Sequence, residues 1–372
     1  MREPSTLELA AIALELEFLK GYYIEKFYEL PDQQFRLKLN KSGEGQHNLV
    51  IVPARFLGIA SVLVQQDQPT NFSQAVRKRI SNSRITGISL LNDDRVLCIS
   101  MEKGDQTQNL IIEMFGKGNV IITDSEMRIT LAYYRHEFSD RKIFTGEVYI
   151  TPKNKRITVS NLSDAMMLQE AIMASPRPKE KNVMQALSSV INIGSLYVED
   201  AVIRLGIEPS APSDSISDSE IASISKNIAS YAEYIRSPKP RLYKENGFVI
   251  DYSICDIKKY EGKEAENFKF AYETLEKYYL SHKENPTPSE SGKAKELEAS
   301  IRKQKEIIEQ TVKDIDELKR KGDTIYKNMQ LINSIIKMAK DKKRFKKEDI
   351  EEAFGVKVSE VNLKDKTITI EL

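Results

Sequence analysis

The 372-residue sequence predicts an α+β protein of several domains, and three patterns lead to that fold class. Hydrophobic and polar residues alternate through most of residues 22–150, which is typical of short antiparallel strands. Hydrophobic residues recur with helical spacing in residues 5–20, 162–174 and 182–236. In residues 294–339 they are spaced alternately three and four apart, which predicts one helix of a coiled coil.

The N-terminal region predicts a helix followed by a large β-rich domain. Ser5 and Glu8 have the spacing of a capping box, and Gly21 ends the helical pattern. A single further helix, residues 72–82, interrupts the strands, with its basic side chains largely opposite its hydrophobic face. Turn residues separate the predicted strands, which include 48–53, 84–91, 95–101, 110–115, 119–123 and 128–134.

Proline-rich breaks and changes of periodicity divide the chain. The Ser-Pro-Arg-Pro stretch at residues 175–178 predicts a domain boundary, since proline donates no backbone hydrogen bond. We assign a β-rich domain, a helical domain, a connecting strand pair and helix, a coiled-coil helix and a small partial α+β module; these occupy residues 1–174, 179–237, 238–290, 291–340 and 341–372.

The coiled-coil pattern has no second segment of comparable length to pair with it in the sequence. The C-terminal residues 356–372 alternate like the first arm of a β-hairpin, and we interpret the return arm as missing. Both observations predict that the chain is part of a longer protein. Homodimerisation through the seam is the alternative.

Composition excludes several classes of function. With 56 basic and 55 acidic residues the net charge is +1, so any nucleic-acid site must be local. Three histidines and two well-separated cysteines offer no clustered ligands, and we expect neither a metal nor a cofactor. The sequence has no apolar run long enough to span a membrane and no signal peptide, which predicts a cytoplasmic protein without membrane contacts.

Two turns between predicted strands are candidate phosphate sites. In residues 115–119, Gly116 and Gly118 would let backbone amides approach a phosphate, with Lys117 as counter-charge. An ordinary hairpin turn explains the same residues. Arg95 follows Asp94 at the start of a strand, where it could offer its fork to a phosphate while the acid orients it. A tight acidic turn is the simpler explanation.

Two clusters of positive charge are further candidates for contacts with RNA phosphates. Arg77, Lys78, Arg79 and Arg84 place four positive charges within eight consecutive positions, although a solvated helix face would look similar. Residues 324–347 contain eight basic residues and one acidic residue. Such a stretch is typical both of a surface that contacts RNA and of a solvated helix end. This second cluster includes Lys342, Lys343 and Arg344.

Residues 190–197 read as a turn that feeds a helix N-terminus. Such a turn in a helix-hairpin-helix motif holds nucleic-acid phosphate through backbone amides near Gly194. Asn192 occupies a position where glycine is more usual, and asparagine tolerates the left-handed conformation. A plain turn between two helices is the alternative.

Taken together, residues 5–8, 84–88, 94–95, 110–124, 192–199 and 321–326 resemble the NFACT family, in an archaeal form. These proteins are ribosome-associated quality control factors, called NEMF in animals and RqcH in bacteria. The resemblance implies an N-terminal domain similar to that of formamidopyrimidine-DNA glycosylases, a helix-hairpin-helix domain, a coiled coil and a middle module. It also implies functional roles for Glu8, Asp94 and Arg95, with Glu8 in place of the more usual aspartate.

The same resemblance implies a non-catalytic function. Family members bind a large ribosomal subunit carrying peptidyl-tRNA, contact rRNA and recruit charged tRNA, so that the stalled chain is extended without a message. Peptide-bond formation would remain with the ribosome.

Two other classes compete with this interpretation. A DNA glycosylase shares the β-rich and helix-hairpin-helix layout, but its nucleophile is an N-terminal proline, whereas Arg2 and Glu3 precede Pro4 here. The glycosylase's cysteine-rich finger is also absent from the sequence. An extracellular adhesin or structural coiled-coil protein would explain the seam but not the basic clusters.

Overall fold

The computed structural model describes residues 1–60, 68–284, 288–341, 345–362 and 365–371. The chain forms two compact units, Met1–Pro286 and Thr287–Leu372. The α+β class predicted from the sequence is confirmed by a large antiparallel sheet accompanied by helices.

The first unit is built on a nine-stranded sheet with the order β4-β3-β2-β1-β5-β6-β7-β8-β9. Every neighbouring pair is antiparallel, and side chains alternate between the two faces. The strands are β1 (Tyr23–Leu30), β2 (Gln34–Lys41), β3 (Gly45–Val52), β4 (Phe56–Ile59), β5 (Arg84–Leu90), β6 (Val96–Lys103), β7 (Gln106–Glu113), β8 (Asn119–Asp124) and β9 (Ile129–Ala132).

The sheet opens between β1 and β5, which pair only at Tyr23 and Arg84. Helix α2 (Asn71–Ile80) packs against β1. Its Val76 and Ile80 are fully buried, as the predicted amphipathic helix requires. A short pair, β10 (His136–Glu137) and β11 (Lys142–Ile143), follows the last strand of the sheet.

Helix α1 (Thr6–Glu15) lies in the core of the first unit and contacts β5. Its hydrophobic residues are buried on nearly every side, so packing fixes its position. The helical region comprises α3 (Ala165–Ala174), α4 (Val183–Val190), α5 (Ser195–Ile203), α6 (Asp218–Ser230) and α7 (Ala232–Arg236). A three-stranded sheet, β13-β12-β14, and helix α8 complete the unit: β12 (Arg241–Glu245), β13 (Phe248–Ser253), β14 (Glu264–Asn267) and α8 (Ala271–Glu284).

The second unit contains two long helices where the sequence predicts one. Helix α9 (Pro288–Lys327) and helix α10 (Met329–Asp341) meet at Asn328. The side-chain amide of Asn328 donates to the Thr324 carbonyl (2.9 Å), which also accepts from the Asn328 backbone amide (3.1 Å). The seam residues described on α9 are exposed: Ile308, Ile315, Leu318 and Ile325.

The C-terminal hairpin corrects an interpretation of the sequence. Strands β15 (Lys357–Asn362) and β16 (Thr367–Glu371) pair with each other, so both arms are present and the return arm is not missing. The two arms are short enough that together they look like one alternating run. Helix α11 (Lys347–Phe354) packs nearby, and Ile335, Ile350 and Val358 form a small core.

Among the described residues, no helix is both long enough and apolar enough to cross a membrane.

Candidate nucleic-acid interface

Glu8, in the first turn of α1, has a fully buried carboxylate. It accepts hydrogen bonds from the Ser5 amide (2.7 Å), the Tyr197 hydroxyl (2.8 Å) and the Tyr252 hydroxyl (3.0 Å). The Ser5 hydroxyl accepts in turn from the Glu8 amide, so the predicted capping box is confirmed. Because donors from the protein itself enclose this carboxylate, Glu8 does not contact a ligand directly. It affects the protein surface only through the residues to which it is bonded.

Arg2 connects Glu8 to the surface. Its guanidinium donates to both Glu8 oxygens, at 2.5 and 2.9 Å, and to Asp251 at 2.6 Å. It also lies 3.9 Å from the ring centre of Tyr252. Burial opposes ionisation of Glu8, but the charge and hydrogen bonds of Arg2 more than compensate and lower the pKa of Glu8 below its usual value. The Arg2 side chain remains 26% exposed.

The role of Arg2 is not evident from the sequence. A single basic residue just before a helix was the only signal, and its carboxylate partner Asp251 lies far along the chain. This connection between the N-terminus and β13 is visible only in three dimensions.

The tight acidic turn between β5 and β6 is confirmed. Asn92 and Asp93 both have φ of 48°, in the left-handed region that these two residue types tolerate. The Asp93 carboxylate accepts a hydrogen bond from the Thr158 hydroxyl at 3.0 Å. The turn is therefore anchored to the segment that leads into the helical region.

Asp94 and Arg95 have different partners. Asp94 accepts from the backbone amide of Arg95 (2.7 Å) and from the side chain of Asn192 (3.5 Å). The Arg95 guanidinium instead pairs with Glu3 at 2.5 Å and lies 5.7 Å from the ring centre of Phe115. The acid that orients Arg95 is thus Glu3, and not the adjacent Asp94 as the sequence suggests.

Glu3 also connects Arg95 to the glycine-rich turn. Its second carboxylate oxygen accepts from the Gly116 amide at 2.9 Å. Gly116 and Gly118 both have positive φ, as the hairpin-turn interpretation requires. A Cβ on Gly118 would lie 2.2 Å from the Pro53 Cβ, so close packing also demands glycine there. A carboxylate of the chain itself therefore occupies the amide that we expected to face a phosphate.

A cleft of about 370 Å³, which we call the Arg95 cleft, lies between the N-termini of α1 and α5. The first amides of a helix have no intrahelical acceptor, and the helix dipole makes this end attractive to anions. The cleft thus combines two helix N-termini with two guanidinium groups. Its lining residues are Arg2, Glu3, Pro4, Ser5, Thr6, Arg95, Asn192, Gly194, Ser195 and Leu196.

Gly194 allows the two helices to approach each other. It has φ of 108°, and a Cβ at this position would lie 2.5 Å from the Ser5 Cβ. Asn192 does not adopt the left-handed backbone that its position suggested. Its amide instead donates to the Ile157 carbonyl (2.8 Å), next to a parallel bridge between Ile157 and Ile191. The glycine therefore provides the reversal of the chain.

A second, larger cleft of about 910 Å³ contains Lys117. Arg55 and Arg135 contribute further positive charge, and Phe138 contributes an aromatic ring that is 39% exposed. Cations beside exposed rings can hold both the backbone and the bases of an unpaired strand. Gly116 and Gly118 line this cleft as well.

The basic run on α2 makes mainly structural contacts. Arg77 donates to the Phe27 carbonyl of β1 at 2.6 Å. Arg79 donates to the Ala75 carbonyl at 2.9 Å and to the Thr130 carbonyl of β9 at 3.3 Å. The helix is thereby fastened to both halves of the opened sheet.

The remaining members of the two basic clusters lie apart from the Arg95 cleft. Lys78 is exposed, and Arg84 pairs with Glu102 at 3.4 Å. Neither residue lines that cleft. Lys342, Lys343 and Arg344 lie outside the described residues.

The described residues contain no cluster of three His, Cys, Asp or Glu side chains that could hold a metal ion. Cys98 and Cys255 are both buried free thiols.

Comparison with known proteins gives consistent relatives. The archaeal Rqc2 homolog aRqcH of Methanocaldococcus jannaschii is 25% identical over 348 residues, which cover 90% of this chain and 51% of the relative. The ribosome quality control complex subunit NEMF of Mus musculus is 24% identical over 66% of this chain and 23% of its own length. The chain thus spans about half of the archaeal relative and about a quarter of the mouse protein.

Solved structures share the fold. The fibrinogen-binding protein of Staphylococcus aureus superposes with a TM-score of 0.60 at 15% identity, covering 74% of this chain and 98% of that one. The N-terminal part of the fibronectin/fibrinogen-binding protein of Streptococcus suis gives a TM-score of 0.57 at 21% identity, with the same two coverages.

The model for the NFACT N-terminal and middle domains matches residues 5–371, which is nearly the whole chain. The match includes all the segments whose residues resemble that family, and it confirms the resemblance. The chain belongs to the NFACT family, as a relative of the archaeal and eukaryotic ribosome quality control proteins.

Proposed function

We propose that the protein is a ribosome-associated quality control factor that binds the large ribosomal subunit with its stalled peptidyl-tRNA. It recruits charged tRNA, so that the nascent chain receives a C-terminal tail without a message. The protein catalyses nothing itself, and the ribosome forms each peptide bond. We expect it to act in the cytoplasm.

The observation that carries this proposal is the convergence of two helix N-termini with Arg2 and Arg95 in one cleft. A phosphate of tRNA fits such a site because backbone amides and guanidinium groups both prefer anions. The carboxylate of Glu3 already bridges Arg95 and the Gly116 amide, which supports the view that these donors suit an anion. We infer that RNA phosphate takes the place of this carboxylate.

The other parts of the chain have proposed roles in the same activity. We propose that α4, the turn at Gly194 and α5 form a helix-hairpin-helix element, and that Asn192 and Gly194 position its amides. Lys117 contacts RNA from the second cleft. The exposed seam of α9 belongs to a coiled coil, paired within a longer protein or with a second copy. The five domain segments assigned from the sequence remain our proposal, as do rRNA contacts by the basic residues near 342–344.

The test compares tRNA binding and tail synthesis by the wild-type full chain and by Asp94→Ala and Arg95→Ala. Arg95→Ala removes the guanidinium of the cleft, and we expect tRNA affinity to fall by about tenfold or more, since charge-assisted hydrogen bonds contribute about 1.5–3 kcal/mol. Arg241→Ala is the matched control, because it removes an arginine of similar exposure that also pairs with a carboxylate, Asp256, and lines neither cleft.

Two results would contradict the proposal. The first is that Asp94→Ala and Arg95→Ala leave both tRNA binding and tail synthesis intact, which would refute the site. The second is that the wild-type chain ignores ribosomes and tRNA but cleaves DNA containing an oxidised base, which would favour the glycosylase alternative.

A further inference from the structure

We propose that a pocket between α2 and the β6–β7 hairpin binds a phosphate group of an RNA backbone, as a second RNA contact apart from the Arg95 cleft. This inference rests on the proposed function. The pocket has a volume of about 300 Å³ and shares no lining residue with that cleft. Its lining residues are Lys78, Arg79, Lys103, Gln106 and Gln108.

The sheet register brings the hairpin side of the pocket together. Lys103 is the last residue of β6 and lies opposite Gln106, the first residue of β7. Gln108 follows two positions later, on the same face of the strand as Gln106. Three side chains that can donate hydrogen bonds therefore point to one side of the hairpin.

The helix side of the pocket is held in place by backbone contacts. Arg79 is held by two hydrogen bonds: one terminal nitrogen of its guanidinium donates to the Ala75 carbonyl and the other donates to the Thr130 carbonyl. A guanidinium has five N–H donors, so donors remain for a ligand. Because its position is set in advance, binding an anion loses less side-chain entropy than ordering a mobile arginine would.

The composition of the pocket favours an anion. Three of its five lining side chains are cationic, two are amides and none is a carboxylate. Lys78 and Lys103 thus face one pocket with like charge, which is unfavourable until an anion enters. The nearby Glu102 is engaged by Arg84 and does not line the pocket.

Complementing the helix dipole is the simpler explanation for the basic residues at the end of α2. It accounts for Lys78 and Arg79 but not for Lys103, Gln106 and Gln108, which belong to a different element. The pocket lining also contains no aromatic ring on which an unpaired base could stack. A backbone phosphate of an RNA helix, recognised by charge and shape, fits this set of donors.

The experiment measures binding of bulk tRNA to the full chain between about 50 and 200 mM salt. The test variant is Lys78→Gln/Lys103→Gln. The matched control is Lys142→Gln/Lys263→Gln, which removes two exposed lysines that each pair with a glutamate. Arg95→Ala is measured in the same series, and inorganic phosphate at constant ionic strength serves as a competitor.

We expect the test variant to lose affinity on the order of tenfold at about 0.1 M salt, and its salt slope to fall by about one to two. The control should match the wild type. Phosphate should weaken tRNA binding by the wild type more than by the test variant.

If the test variant equals its control in affinity and slope while Arg95→Ala still loses affinity, the pocket is refuted and the proposed function stands. If the wild type binds no tRNA at all, both are refuted. If phosphate weakens binding by the wild type and by the test variant equally, phosphate recognition by these lysines is refuted.

Discussion

Helix α2 carries three consecutive basic residues, whereas the Arg95 cleft draws its two arginines from distant parts of the chain. In the sequence, the dense cluster looks like the better RNA site. In the structure, Arg77 and Arg79 donate hydrogen bonds to carbonyls of the opened sheet. Arg2 and Arg95, which are far apart in the sequence, lie together beside two helix N-termini. The local density of charge therefore says less about a phosphate site than the convergence of donors does.

The largest expected effect is on the free energy of unfolding, and it concerns the buried Glu8 that holds Arg2 in the cleft. Glu8→Gln leaves Arg2 without its principal buried partner, and breaking such a pair costs about 3–5 kcal/mol of unfolding free energy. Chemical denaturation measures this loss. The exposed pair at Glu137 provides the control, since Glu137→Gln should cost less than about 1 kcal/mol.

The same carboxylate predicts a pH dependence. The pKa of Glu8 is lowered in the folded state, so the folded protein binds fewer protons than the unfolded chain. The stabilisation is complete above the unfolded pKa and is lost as pH falls through the folded pKa. We expect Glu8→Gln to lack this part of the acid destabilisation. An unchanged acid profile in the variant would contradict the lowered pKa.

The second effect tests the closeness of the two helices. In Gly194→Ala the new Cβ meets Ser5 at a positive φ, and we expect about 2–4 kcal/mol of destabilisation from overpacking and strain together. Gly206→Ala is the matched control, since Gly206 also has positive φ (74°) but open space around its Cβ position. It should cost about 1 kcal/mol. Equal costs would show that α1 and α5 do not pack as described.

The third prediction distinguishes an effect on stability from an effect on tRNA binding for a basic residue of α2. Arg77→Gln removes the bond to the Phe27 carbonyl, and we expect a loss of about 1–2 kcal/mol in unfolding free energy. The affinity for tRNA should change less than that for Arg95→Ala. If Arg77→Gln weakens tRNA binding as much as Arg95→Ala does, the contrast between the two regions is wrong.

The smallest effect has the opposite sign. Glu3→Gln removes the carboxylate that competes for Arg95 and the Gly116 amide, so tRNA affinity should rise by about twofold to fivefold, or roughly 0.4–1 kcal/mol. Glu245→Gln, which removes an exposed glutamate paired with Lys263, is the control for net charge. A loss of affinity in Glu3→Gln would mean that the carboxylate helps to build the site.

Local features of this molecule are predictable from the sequence and distant contacts are not. The capping box of Ser5 and Glu8 and the strands from β5 to β9 depend on near neighbours, and the structure confirms them. Strand β14 escaped prediction because its residues Glu264–Asn267 are all exposed and show no hydrophobic alternation.

The site shows the same division. Arg95 was identified, but its partner Glu3 was not, because the contact joins the N-terminus to the start of β6. Asn192 was expected to supply the left-handed turn, whereas its amide bonds to Ile157 beside the Ile157–Ile191 bridge and the positive φ lies at Gly194. Such choices depend on tertiary packing, which no local pattern encodes.

Backbone amide chemical shifts during titration of the isotope-labelled full chain with tRNA test the cleft most directly. We expect the amides of Thr6, Ser195 and Leu196, which line the Arg95 cleft, to shift in a saturable manner, while Gly104, in the β6–β7 turn, reports on the α2 pocket alone. In Arg95→Ala the shifts at the first three positions should be strongly reduced. If tRNA binds while Thr6, Ser195 and Leu196 stay unperturbed, the Arg95 cleft is not the RNA site.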